Sequence, residues 1–230
     1  PTFSSESRLV QVGFQLSMTA SRGYIYYTTD GTDPCQPLDA SISDTTFIPE
    51  NATKKVIVPA VAIDSAWKGS TEFDDSDWQS GSGNVGYEQG NGYENIINMD
   101  VGPEMINRQT SCYVRIPFSV DQNKLESYNI LTLRMYYDDG FMVWLNGEKV
   151  AEANAPAILV WNATATNNHE AEAWDTFDIS NFVNKLLPGE NLLAIQGLNV
   201  ESSSSDFLIG TELAAGTATN PGEISENALQ

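Results

Sequence analysis

Leu131, Leu133 and Met135 alternate with Thr132, Arg134 and Tyr136, the period-two pattern of a strand with one buried face. Asp138-Asp139-Gly140 interrupts the run with residues that tolerate turn dihedrals. Phe141 to Leu145 resumes apolar on both sides, which predicts a strand buried on both faces or covered by a loop. Asn146-Gly147 follows, the dipeptide that a type I′ hairpin favours because both central residues need φ > 0. Strand, acidic turn, buried strand, hairpin and polar strand together predict the centre of an antiparallel β-sandwich.

The alternation extends both ways. Tyr113 to Val120 and residues 130–137, 141–151, 173–179, 191–199 and 207–213 read as strands. A short helix is expected between Ile179 and Leu187, stopped by Pro188-Gly189. Val56 to Ile63 is an apolar strand that Pro59 assigns to an edge or a bulge. Asp74-Asp75-Ser76-Asp77 is expected to open a helical turn ahead of Trp78, with a carboxylate capping free N–H groups. Residues 79–111 read as a long Gly/Asn-rich loop carrying Tyr87 and Tyr93, of a length that is usually functional or packed by its own aromatics. Near the start, Gly13 to Thr19 alternates and Tyr24 to Thr28 forms an aromatic, β-branched strand. Thr29 to Pro34 then makes a double turn.

Three sets of motifs carry resemblances. Asp138 to Gly147, Phe177-Asp178-Ile179-Ser180, Leu187 to Ile195 and Phe73 to Trp78 resemble the galactose-binding-like jelly roll, a sugar-binding sandwich found beside many glycoside hydrolases. Val85 to Glu88, Ser111 to Phe118, Asn154-Ala155-Pro156, Trp161 to His169 and Ser204 to Ile209 resemble, in the same order, large secreted bacterial proteins that carry lamin-tail domains. Tyr26 to Pro34 is similar to the immunoglobulin-like module at the C-terminus of chitobiases and β-hexosaminidases, but the closing strands of that module are missing. The resemblances imply an all-β fold in three parts: a truncated immunoglobulin-like segment over 1–48, a galactose-binding-like jelly roll over 49–215, and a polar acidic tail or linker over 216–230. A sandwich short of strands leaves an edge open to another chain. Either residues 46–63 pair back onto it, or a neighbouring domain or subunit does.

Composition narrows the partners. Against 31 acidic residues stand 11 basic ones, for a formal net charge of −20, a field that repels nucleic acid and anionic membrane. No run approaches the ~18 apolar residues of a membrane helix, and no charged-then-apolar leader opens the chain. The expectation is a mature or excised piece of a secreted, extracellular or cell-surface protein. Cys35 and Cys112 lack metal-type spacing; they either form a disulfide or remain two buried thiols.

Candidate chemistry is mostly oxygen and aromatic. His169 is the sole histidine and sits in a polar loop, so a nucleophile–His pair has little to work with. Glycosidases need two carboxylates in set geometry, one with a raised pKa, and no acid is expected in an apolar setting that would raise its pKa; no enzyme is expected. Asp138 and Asp139 offer hard oxygen ligands for a structural Ca²⁺, unless Asp-Asp-Gly simply makes the turn. Asp74, Asp75 and Asp77 offer the same, unless they are a cap and a solvated face. Sugar binding calls for an aromatic platform with convergent polar groups, which Trp161, Asn162, His169, Tyr87, Glu88 and Trp144 could supply. The expected function is a non-catalytic carbohydrate-binding or adhesive module of a larger secreted protein, its partner a polysaccharide or glycan. The alternative is a structural subunit of an extracellular filament or matrix, assembled from copies of itself by strand complementation.

Overall fold

The computed structural model describes residues 2–3, 17–19, 45–69 and 71–217. The chain divides into two units, Pro1–Ser41 with Ala218–Gln230, and Ile42–Thr217. Of the first, the described part is one antiparallel pair, β1 (Thr2–Phe3) with β2 (Met18–Thr19). Most of the immunoglobulin-like stretch, Cys35, and the tail beyond Thr217 lie outside the described residues.

The second unit is an all-β sandwich. Its strands are β3 (Thr45–Ile48), β4 (Thr53–Ile57), β5 (Gln79–Ser82), β6 (Asn84–Glu88), β7 (Ile97–Asp100), β8 (Ser111–Val120), β9 (Ile130–Asp138), β10 (Gly140–Leu145), β11 (Glu148–Ala153), β12 (Asp175–Asp178), β13 (Gly189–Leu198) and β14 (Asp206–Gly216). One sheet runs β11-β10-β13-β8-β4-β5, the other β12-β9-β14-β6-β7, with β3 also paired to β14. Every pairing is antiparallel except β6 with β7.

The period-two alternation places Leu131, Leu133, Met135 and Tyr137 of β9 opposite the inner residues of β8, β10 and β13 in one continuous core. Each fully buried Leu, Ile or Phe contributes about 1.5–3 kcal/mol there. Strand β10 is buried along its whole length, because a second apolar layer covers the outer face of its sheet. Trp67, Trp78, Tyr113, Met142, Trp144, Leu192 and Ala194 form that layer. Residues 61–78 are drawn over it by Arg115, itself 2% exposed. The guanidinium donates to the Asp75 carboxylate at 2.7 Å and to the Trp67 carbonyl, and lies 5.1 Å from the Phe73 ring centre.

Several local expectations change. The 79–111 stretch is not a loop: it holds β5, β6, β7 and a one-turn helix, α1 (Gly102–Met105). Its glycines permit close strand packing, since a Cβ on Gly86 would sit 2.1 Å from the Phe207 carbonyl oxygen. No helix opens at Asp74, where the carboxylate accepts the Ser76 N–H at 3.1 Å and the chain turns back through Trp78 N–H to the Asp75 carbonyl. The apolar strand stops at Ile57, before Pro59, and β4 lies inside its sheet between β8 and β5. Between Ile179 and Leu187 the chain makes a 3₁₀ turn, Ser180–Lys185. Cys112 is a buried free thiol, and burial pushes its pKa far up.

Candidate functional site

The acidic turn after β9 lies beside the start of β14, where Asp138 is the register partner of Leu208. Its two aspartates do different things. Asp139 closes loops: its Oδ1 accepts the His169 N–H at 2.9 Å, its Oδ2 accepts the Val200 N–H at 2.8 Å, and Asn154 Nδ2 donates to its carbonyl at 2.8 Å. Both carboxylate oxygens of Asp139 are therefore occupied by backbone donors. Asp138 points elsewhere, into a group with Glu170 and Asp206, in which one carboxylate oxygen from each lies within 4.8 Å of the others. Such a group could hold a metal ion.

The Tyr93 hydroxyl sits on this group, 3.1 Å from Asp138 Oδ2 and 3.2 Å from Glu170 Oε2, and accepts the Ala171 N–H at 2.9 Å. Burial first, then the charges of Asp139 and Asp206, push the Asp138 carboxyl up to about 8. Burial also raises Asp206, with Glu170 and Glu88 adding repulsion. The sequence expectation that no acid occupies a desolvated setting is corrected here. Asp138 is 1% exposed because β14, the 154–174 loop and Tyr93 fold over it, which no local apolar run reveals.

Tyr93 links this group to a cleft. Its backbone N–H donates to Glu88 Oε2 at 3.2 Å, while Glu88 Oε1 accepts the Gly90 N–H at 2.7 Å. The cleft, about 630 Å³, is lined by Tyr87, Glu88, Glu94, Ile97, Asp100, Gly102, Pro103, Ile106 and Arg108. Its carboxylates are held by backbone donors: Glu94 by the Gly92 N–H at 2.6 Å, Asp100 by the Gly102 N–H at 2.8 Å. Arg108 donates to the Pro103 carbonyl at 2.9 Å. Tyr87, 3% exposed, donates to the Ser204 carbonyl and accepts from Asn199 Nδ2.

The six residues expected to bind sugar are thus dispersed. Tyr87 and Glu88 line the cleft. Trp144 is buried in the outer aromatic layer, and its accessible rim faces a second hollow with Lys68, Asp64 and Asn146. Trp161 is half-buried against that layer, with Asn162 exposed beside it. His169 stacks flat on Tyr137, ring centres 4.2 Å apart, with Nδ1 3.0 Å from the Tyr137 carbonyl. A carbonyl only accepts, so Nδ1 carries the proton. Glu94, Asp100, Arg108, Glu170 and Asp206 were not singled out from sequence; the acid adjoining His169 and the Asp opening β14 were the available signals.

No family model matches the chain, and no curated protein matches it. Solved structures similar to it include a Bacteroides uniformis β-glucuronidase 2 covalently bound to cyclophellitol-6-carboxylate aziridine, at 16% identity and TM-score 0.49, with 75% of this chain and 18% of that one covered. An uncultured Clostridium sp. β-glucuronidase matches at 12% identity and TM-score 0.48, covering 80% of this chain and 30% of that one. A β-glucuronidase from glycoside hydrolase family 2 matches at 12% identity and TM-score 0.42, covering 78% and 18%. The chain spans less than a third of each of these proteins. The expectation of no enzyme meets a contrary finding: the solved structures similar to this chain are enzymes.

Proposed function

We propose that the chain is a glycan-binding module of a larger secreted protein, with a galactose-binding-like sandwich as its scaffold. The observation that carries this is the cleft bounded by Glu88, Glu94, Asp100 and Arg108. Its volume suits a short stretch of polysaccharide. Ile97, Pro103 and Ile106 supply apolar surface for pyranose C–H faces, while the backbone-anchored carboxylates present fixed acceptors to sugar hydroxyls. Three carboxylates against one guanidinium favour a neutral or amino sugar over a uronic acid.

Affinity electrophoresis through neutral and acidic polysaccharides tests the proposal. Retardation by a neutral polysaccharide, lost in Glu94→Gln and Arg108→Ala and kept in Trp161→Ala, is the expected result. Absence of retardation in every polysaccharide, or retardation that only Trp161→Ala abolishes, removes the cleft as the site.

A further inference from the structure

We propose that Asp138, Glu170 and Asp206 form a divalent-cation site, sized for Ca²⁺, that ties the end of β9 to the start of β14 and to the 154–174 loop. It stands whether or not the cleft takes a glycan.

Three observations carry it. The first is the gathering of three carboxylate oxygens within 4.8 Å, with no ion pair to any of the three acids among the described residues. The second is an acceptor without a donor. Asp138 is 1% exposed, its carboxylate faces this group, and its Oδ1 has no hydrogen-bond partner. A buried charged acceptor without a donor is costly. A cation satisfies acceptors that no protein donor reaches.

The third is a proton count at Tyr93. Its hydroxyl accepts the Ala171 N–H, so its single proton can serve only one of the two carboxylate oxygens beside it. The other contact sets lone pair against lone pair unless a proton or a cation is added nearby.

The donor set chooses the ion. All the groups are hard oxygens, which excludes a soft-metal preference. Oxygens bound to one Ca²⁺ at 2.3–2.6 Å can lie up to about 5.2 Å apart, whereas those on Mg²⁺ at 2.0–2.1 Å reach only about 4.2 Å. The three oxygens lie within 4.8 Å of one another, inside the range that a Ca²⁺ shell spans. Water completes the six to eight ligands Ca²⁺ takes, entering from the side of the exposed Glu170.

Titration calorimetry on the full chain, first freed of metal by a chelator, tests the site with Ca²⁺ and Mg²⁺ separately. Expected are tight binding of Ca²⁺, weaker Mg²⁺ binding, and a higher melting temperature with Ca²⁺. In Glu170→Gln, which alters an exposed side chain and leaves the core intact, and in Asp206→Asn, Ca²⁺ affinity falls by about tenfold or more, since charge count sets affinity at such sites. Absence of Ca²⁺ binding at millimolar concentration overturns the proposal. So does Ca²⁺ binding that both variants retain unchanged, which assigns the ion to surface acids elsewhere.

Discussion

Two buried charged groups in this sandwich are handled in opposite ways. Over the outer face of the β10-containing sheet, buried Arg115 is paired with a half-buried counter-charge, Asp75, and with the Trp67 carbonyl. That charge is closed within the chain, and it holds residues 61–78 down on the aromatic layer. At the end of β9, three carboxylates converge with no base among them. Burying a charge is tolerated when it is paired and hydrogen-bonded. The first region meets that condition from sequence alone, while the second needs a partner from solution. Net charge follows the same division, because no Lys or Arg occurs after Lys185, and Asp206 belongs to that acid-only stretch.

Breaking the closed region has the largest expected effect. Arg115→Ala strands Asp75 and the Trp67 carbonyl, and about 3 kcal/mol of stability is lost in denaturant unfolding; a loss under 1 kcal/mol contradicts a pairing that holds the segment down. Next comes Asp138→Asn. Asn replaces a carboxyl whose charged form is penalised by burial and by acidic neighbours, so the metal-free protein is more stable than its parent, and thermal unfolding no longer responds to Ca²⁺. Equal destabilisation with and without Ca²⁺ reduces Asp138 to a packing residue.

A third buried charge sharpens the contrast. Burial lowers the Lys54 pKa to about 8, against a partial pull upward from Glu50. The unfolded chain therefore holds a proton that the folded chain lacks between pH 8 and the ordinary lysine value of 10.5. Stability contributed by the neutral amine rises with pH across that window and is absent below it. Lys54→Met removes the rise and raises stability at pH 7, which unfolding at pH 7, 9 and 10.5 measures. The smallest effect is expected at Trp161. It packs half-buried against the aromatic layer, so Trp161→Ala costs stability while polysaccharide retardation is unchanged.

The centre of the sandwich was legible because its signals are local. Leu131 to Met135 alternate, Phe141 to Leu145 do not, and Asn146-Gly147 closes a hairpin, so β9, β10 and β11 follow from neighbours along the chain. Residues 79–111 were not legible. Gly81, Gly83 and Gly86 read as loop, yet they mark places where strands press so close that a Cβ would collide with Met99, Asn98 or Phe207. The candidate site was half legible. Asp138-Asp139 stood out, but their division of labour depends on Val200, His169 and Asp206, brought in by register and loop closure. Glu170 and Asp206 are marked only by their neighbours, His169 and the start of β14, and nothing local joins them to Asp138. The dispersal of Trp161 and Tyr87 arises similarly, since an aromatic in a polar segment reads alike whether it covers a sheet or lines a cleft.

A crystal structure grown with millimolar CaCl₂ and measured for anomalous scattering addresses the open charge group most directly. The expected result is one anomalous peak among Asp138, Glu170 and Asp206, with oxygen distances of about 2.3–2.6 Å. Only water there, with Asp138 hydrogen-bonded as a protonated acid to Glu170 or Asp206, would contradict it.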